Sequence, residues 1–539
     1  MLLFIPAMAE TKSNSDIVKN TGMGVIYITF AKLWFLVMGW VLVFVLPRLF
    51  EWAAAGDAEK GKAMYGVYAL VLTGVSFVNN GIVTGTIQSV SKFTAENEAT
   101  AASVRYQALR IMGVAGFAIA LLYALLSGII SKYWFNSTDD TITRYMHLSA
   151  VIILAYSCYS VFIGSLNGLR RFRAQALFDV AYTAIKMVLM IGFVVAGFEV
   201  LGTVLGFVCA AVLIAASAAF VTRNTPGTAP FEGKKFISFA WVIITYTFVL
   251  NLVMMADLYV LSGFAPDLAC ASGMSEAAAG EWMNIQAGLY KAVQQLAFIP
   301  YQAVISIAFV VFPLISKVVR EADMSVARRY IGRTFRFTLI LLAGLASVFC
   351  GVAEGAMRLV FPAGYDVASP ALQILSIGII AFGLLVISNT VLNAAGRKWH
   401  ALTTVLIGMG AVLGLNIFFL STAKNADTEI LTRTASGTSI GMGIALSLSL
   451  VFIYREFKAF IPPLSLLRVI LAAATAIGAA QFFPGDGKMM TLVHCIGVLI
   501  IFFGILGVTR EFNGEDLTQL KQVLNRNPKQ TRSSAVSAK

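Results

Sequence analysis

Four ionisable residues stand inside long apolar runs: Lys32, Lys186, Asp257 and Lys291. Charge at the centre of a bilayer costs roughly 2.5–3.5 kcal/mol on insertion scales, so such groups persist where they pair or line a polar path. A lysine is a mobile point charge suited to an anionic group. Lys32, Lys291 and Lys186 could hold such an anion. Asp257 would then pair with a lysine in one state and release it when substrate or a cation arrives. The plain alternatives are a lysine that reaches for the membrane surface and a structural ion pair; Asp179 lies within two helical turns of Lys186.

Uncharged polar groups add to this set. Asn79 and Asn80 interrupt an apolar run and are followed by Gly81, Thr84, Gly85, Thr86 and Gln88. A small, polar helix face of this kind can line a cavity, or it can pack closely on another helix with amide hydrogen bonds. Asn251, Gln294, Gln295 and Asn389 admit the same two readings. Pro300, which lacks a backbone donor, should bend the helix that carries it.

These residues need a scaffold, and composition says which kind. The chain has 539 residues, 58% hydrophobic and 12% charged, against about 45–50% apolar and about 25% charged for a soluble domain. A polytopic, all-α membrane protein follows, because hydrocarbon cannot satisfy loose backbone groups. Fourteen segments are long and apolar enough to cross: 23–46, 64–90, 107–130, 145–166, 175–197, 200–222, 236–263, 285–315, 334–361, 371–395, 399–421, 436–454, 466–484 and 490–509. Counting residues at span ends with the loops, Lys and Arg divide 28 to 9 between alternate sides. That bias predicts both termini in the cytoplasm. It also accounts for the net charge of +13 as a topology signal, not a nucleic-acid surface. The opening MLLFIPAMAE lacks a basic n-region and reads as an uncleaved tail. The five cysteines and three histidines are dispersed, so neither a disulfide nor a metal site is expected.

The chain also repeats itself. SVSKFTAENEATAASVRY (89–106) is echoed by LISKVVREADMSVARRY (314–330), which sets Lys92 against Lys317 and Arg105 against Arg329. LNGLRRFRAQA around Asn167 is echoed by LNAAGRKWHA around Asn393, and YGVY (65–68) by GLY (288–290). The offsets run from 222 to 226 residues, and Lys32 and Asp257 are 225 apart. An offset of six spans implies two like-oriented halves. The expected organisation is an N-lobe (1–222), a Pro/Gly/Thr-rich linker (223–235), a C-lobe (236–460), two further spans (461–510) and a cytoplasmic tail (511–539). In that tail Leu517, Leu520 and Leu524 predict a short amphipathic helix.

Taken in order, YGVYALVL into SKFTAE, SLNGLRRFRAQAL, FPLISKVVREADMSVARRY and VLNAAGRKWHAL resemble the multidrug/oligosaccharidyl-lipid/polysaccharide exporter superfamily. The resemblance is nearest its polysaccharide-flippase branch and extends from about residue 20 to 525. The first outer loop, FEWAAAGDAEKGKAM, is longer than the family pattern, and no basic residue adjoins Asn79 and Asn80. The resemblance implies two six-helix lobes around a central cavity, rocking to move an undecaprenyl-pyrophosphate-linked sugar or similar anionic lipid to the outer leaflet. It implies a multi-pass protein of the cytoplasmic membrane and no cofactor. Coupling would be to a proton, a sodium ion or the membrane potential. The expected partners are that lipid, membrane lipids and polysaccharide assembly enzymes, with the chain a monomer and no nucleic acid bound.

Lys92, Arg105, Arg329 and Arg333 would then lie at the cytoplasmic end. Arg329, Arg333 and Arg336 share a helical face at i, i+4, i+7 and could close an inner gate against Glu96 and Glu98, or contact lipid headgroups. The plain reading is anchoring to anionic lipid, as for Arg170, Arg171 and Arg173. A cation-coupled drug exporter is the alternative function, although lysines outnumber the single mid-span aspartate. A membrane glycosyltransferase, polymerase or ligase would need a loop rich in acids and bases. The longest outer loop, FAPDLACASGMSEAAAGEW, has no Lys, Arg or His, and no Walker motif occurs; an enzyme is not expected.

Overall fold

Long apolar runs with few breakers give a bundle of helices. The structure is a computed structural model that describes residues 15–135, 140–320, 324–483 and 487–512. The amphipathic helix expected after residue 512 and the first fourteen residues lie outside these, as do the side chains of Lys32 and Lys317. The helices are α1 (Ser15–Ala53), α2 (Ala58–Glu96), α3 (Ala101–Ile129), α4 (Thr141–Gly168), α5 (Phe172–Phe193), α6 (Glu199–Thr222), α7 (Gly233–Ala271), α8 (Glu276–Ala297), α9 (Ile299–Arg320), α10 (Met324–Gly351), α11 (Ala353–Val360), α12 (Ser369–Ala394), α13 (Lys398–Ser421), α14 (Glu429–Phe457), α15 (Pro463–Ala480) and α16 (Lys488–Val508).

Among the described residues, eleven helical stretches are long and apolar enough to cross a membrane. The difference from the expected fourteen arises in three places. α5 and α6 run on as one stretch, Phe172–Thr222, bent where Gly197 takes a φ of 93°. The run 285–315 is broken at Phe298 into α8 and α9, just before Pro300, whose missing N–H cannot continue the ladder. α1 does not count among the eleven.

The repeat in sequence has a counterpart in packing. α1 lies on α5, α5 on α6, α4 on α6, and α3 and α2 on α4. In the second set α7 lies on α13, α13 on α14, α12 on α14, and α10, α8 and α9 on α12. Each of the contacts just named in the first set recurs in the second, with the broken α8–α9 in the place of α2. α15 and α16 have no counterpart and pack on α10 and on each other.

The linker is seated and not loose. Ala102 N–H donates to the carbonyls of Pro226 (3.1 Å) and Gly227 (2.8 Å), and Ala229 N–H donates to Ala99 (2.9 Å). Gly227 has φ 84°, and a Cβ there would come within 2.2 Å of the Glu98 carbonyl oxygen, so only glycine fits. At the other end of the chain, Glu511 is 1% exposed and paired with Arg336 (2.7 Å) and Arg468 (3.0 Å). That triad ties the chain after α16 to α10 and α15.

Candidate functional site

The two helix sets meet along α2, which packs on α7 and α8. Glycine makes this approach possible. A Cβ on Gly66 would fall 1.7 Å from the Asn284 carbonyl oxygen, and one on Gly288 would lie 2.4 Å from that of Lys62. Further along α2, Gly81 and Gly85 sit against the backbone of Phe248 and Ile244, at 3.0–3.1 Å from a built Cβ. The contact therefore runs along most of the helix, as expected of small-residue packing in a membrane.

Polar groups cross the same seam. Lys291 on α8 donates to the hydroxyl of Thr73 on α2 at 3.2 Å. Asn80 on α2 donates to Asn251 on α7 at 2.9 Å, and Asn251 in turn donates to the Thr247 carbonyl. The Tyr259 hydroxyl donates to the Leu70 carbonyl at 2.9 Å. Asn79 is buried, and its Oδ1 has no hydrogen-bond partner.

Asp257 is fully buried, and the groups that hold it are neutral. Tyr290 (2.7 Å) and Thr438 (3.0 Å) donate to one carboxylate oxygen, Gln294 (2.8 Å) and the Leu258 N–H (2.9 Å) to the other. Thr438 also accepts from Asn416 Nδ2 at 3.1 Å, while Asn416 Oδ1 has no hydrogen-bond partner. One carboxylate thus links α7, α8, α14 and α13 inside the second helix set. A carboxylate with this many donors is well satisfied without a cation. Among the described residues no ion pair of Asp257 is present; the side chain of Lys32, its counterpart by the repeat, lies outside them.

Of the remaining candidates, Lys92 on α2 stays on the seam against Phe239 of α7, whereas Lys186, Arg105, Arg329 and Arg333 lie away from it. Lys186 is held among rings, 5.1 Å from the centroid of Phe207, 5.3 Å from Tyr182 and 6.0 Å from Phe35; cation–π attraction, and not Asp179, surrounds it. Lys92 lies 3.8 Å from the Phe239 centroid and pairs loosely with Glu96 at 4.0 Å. Arg105 donates to the Thr222 carbonyl and, at 3.3 Å, to that of Arg223, capping α6. Arg329 and Arg333 are exposed on α10, while Arg336 on the same face turns to Glu511. The backbone of Lys32 lies in α1.

The far end of the seam holds residues that the sequence did not single out. Tyr65 and Tyr68 stack at 5.7 Å, Phe361 and Tyr365 at 5.2 Å, and Tyr65 meets both of the latter pair at 6.2–6.3 Å. Arg48 at the end of α1 donates to the carbonyls of Val360 and Leu359. Beside it a cleft of about 400 Å³ opens between Glu51, Arg358, Gly364 and Lys488. A search for charge inside apolar runs passes over these aromatic and end-of-helix residues; the YGVY repeat was their one signal.

The family model described as "Polysaccharide biosynthesis protein" matches residues 60–319, from the start of α2 to the end of α9. No curated protein matches the chain by sequence. Among solved structures, "Lipid II flippase MurJ, inward closed conformation" superposes with a TM-score of 0.66 at 12% identity, covering 90% of this chain and 98% of that one. An inward-facing multidrug resistance MATE family transporter of the MOP superfamily gives 0.60 at 12% identity, covering 82% and 96%. A MOP superfamily transporter from Pyrococcus furiosus gives 0.58 at 13%, covering 85% and 96%. These structural likenesses define the fold class: an all-helical membrane bundle of the kind those transporters have. The polysaccharide-biosynthesis family model covers somewhat under half of the chain, and the fold is the one these flippase and MATE structures share.

Proposed function

We propose that this protein flips a lipid-linked oligosaccharide, or a polysaccharide repeat unit on its lipid carrier, from the cytoplasmic to the outer leaflet. Residues 1–222 and 236–460 act as two lobes that rock about the seam along α2, with both termini in the cytoplasm. The observation that carries this reading is the seam itself. Helices of two similarly packed sets meet through glycines and a few reversible hydrogen bonds, Lys291 to Thr73 and Asn80 to Asn251. Parted, those groups present an ammonium, two amides and a hydroxyl to the space between the lobes, a surface suited to a hydrated anionic headgroup whose tail stays in the lipid. The likeness to a lipid II flippase and the match to the polysaccharide-biosynthesis family support this cargo over a cationic drug.

Asp257 is the candidate for energy coupling. Its carboxylate, together with Thr438 and the unpartnered Oδ1 of Asn416, forms a set of oxygens that a proton or a sodium ion could occupy. Lys32, Lys186 and Asn79 remain candidates for headgroup contact, and the exposed arginines Arg329 and Arg333 for contact with anionic lipid. The activity is transport without bond-making chemistry, in the cytoplasmic membrane, by a monomer working beside polysaccharide assembly enzymes.

The test is reconstitution of the purified chain in vesicles with a fluorescent undecaprenyl-pyrophosphate sugar and, separately, with cationic drugs. Sugar-lipid transfer that falls at least tenfold in Lys291→Ala supports the reading. Movement of drugs alone would transfer the protein to the alternative, a cation-coupled multidrug exporter, which the MATE-like fold accommodates. Orientation has its own check: Cys270 is exposed at the end of α7 and should react with an impermeant maleimide added outside intact cells.

A further inference from the structure

A second cavity, of about 320 Å³, lies beside the polar seam, on its apolar side. Phe77 on α2 and Ile130 just past α3 form one wall; Leu252 and Tyr259 on α7 with Leu413 and Ile417 on α13 form the other. Its lining is apolar throughout apart from the Tyr259 hydroxyl, which donates to the Leu70 carbonyl. A buried water needs two to four polar partners, and this lining does not supply them. Nor is the pocket sealed. Ile417 is 43% exposed, and its neighbour Phe418 is 59% exposed. Both lie on α13, a helix apolar enough to cross the membrane, so the mouth faces hydrocarbon and not water.

We propose that this pocket takes one acyl chain of a membrane phospholipid. An empty apolar void forfeits the dispersion contacts of its lining, and a chain entering from the bilayer restores them without leaving an apolar medium. A cargo's prenyl tail has similar chemistry but is scarce, whereas phospholipid stands permanently against the mouth, and occupancy follows concentration. The two walls belong to different helix sets, so the pocket keeps its shape only in this arrangement. A bound chain therefore favours the closed seam through its differential affinity for the two states. That consequence rests on the rocking reading of the transport cycle; the binding itself does not.

The experiment uses the full chain in phosphatidylethanolamine–phosphatidylglycerol vesicles doped with a phosphatidylcholine bearing a diazirine midway along one acyl chain. After irradiation, peptide mapping should find label concentrated on α7 around Leu252 and on α13 around Leu413, several-fold above the lipid-facing Leu125 of α3. Leu413→Trp should fill the pocket and reduce that excess to the level at Leu125. Phe77→Ala, which enlarges it, should keep the excess, so the pair stays informative if one variant folds poorly. Uniform labelling of the three sites, or an excess unchanged in Leu413→Trp, would overturn the proposal. So would label that appears only with a photoreactive polyprenyl phosphate. The labelling readout is independent of transport, so it can fail while the flippase reading stands, and the reverse.

Discussion

The guanidinium of Arg48 donates to the carbonyl of Val360, 312 residues further along the chain, and reaches that of Leu359 at 3.5 Å. These are the last two carbonyls of α11, groups that a helix leaves without an internal partner. The end of α1 thus caps a helix of the other set, beside the Tyr65–Phe361–Tyr365 cluster. The cap can form only while these ends of the two sets are together, so it weighs directly on the equilibrium between closed and open.

Arg48→Ala should therefore favour opening at this end. A hydrogen bond from a charged donor contributes about 1.5–3 kcal/mol, which predicts a shift of roughly ten- to a hundredfold in that equilibrium. The measurement is the alkylation rate of a single cysteine, Thr73→Cys, in an otherwise cysteine-free chain. Thr73 is 1% exposed at the seam, so its rate should rise in Arg48→Ala. An unchanged rate would mean that the cap does not restrain the seam.

Asp257 separates two roles by substitution. Asp257→Ala removes an acceptor from Tyr290, Gln294 and Thr438 at once, and stranded buried donors cost about 1–3 kcal/mol each. The variant should express poorly or melt early. Asp257→Asn keeps the size and one acceptor, so it should fold, yet it can take neither a proton nor a cation in the same way. Transport by that variant should lose its dependence on sodium concentration or pH while substrate binding persists. A variant with wild-type ion dependence would remove Asp257 from coupling.

What the sequence could and could not reveal follows from the kind of signal each feature leaves. Charge inside an apolar run is conspicuous, which is why Asp257 and Lys291 were legible, and both lie at helix contacts. Their neutral partners were not, because one tyrosine or threonine in a membrane helix is ordinary; Tyr290 and Thr438 gain meaning only when three helices converge. The repeat was legible through motifs at helix ends, and the packing neighbours recur as that predicts. The break after α8 could be read from Pro300, but that at Val352, between α10 and α11, carries no proline and left no mark. Arg105, Lys92 and Arg336 were visible as cations; their partners, a helix end, a ring and Glu511, depend on chain crossings that no local pattern encodes.

Glu511 should give the fold an acid-sensitive element. Burial raises its carboxyl, but hydrogen bonds from Ser465, Arg336 and Arg468 outweigh that and hold it below the usual carboxylate range. A depressed folded-state pKa contributes stability that is present above the unfolded value, about 4.3 for glutamate, and that is lost as pH falls through the folded value. Thermal unfolding in detergent should thus show a midpoint that is flat above roughly pH 5 and declines below roughly pH 4. Glu511→Gln should lower the plateau and flatten the acid limb. An acid limb of unchanged steepness in that variant would place the titration elsewhere.

Gly66 offers the sharpest geometric test of the seam. A methyl group there would overlap the Asn284 carbonyl, at 1.7 Å from a built Cβ, and that carbonyl belongs to helical backbone that cannot rotate away. Gly66→Ala must push α2 from α8, and overpacking of this kind costs about 1–3 kcal/mol, enough to shift a two-state balance by roughly fivefold to a hundredfold or more. The closed arrangement bears this cost, whereas a state with the helices parted escapes it. Gly66→Ala should therefore raise cysteine reactivity at position 73 as Arg48→Ala does, and the two together should exceed either alone. Gly113→Ala on α3, where a Cβ would have nothing within 4 Å, is the matched control and should leave that reactivity unchanged. If Gly66→Ala behaved like the control, the tight contact between α2 and α8 would not be the surface on which the two sets separate.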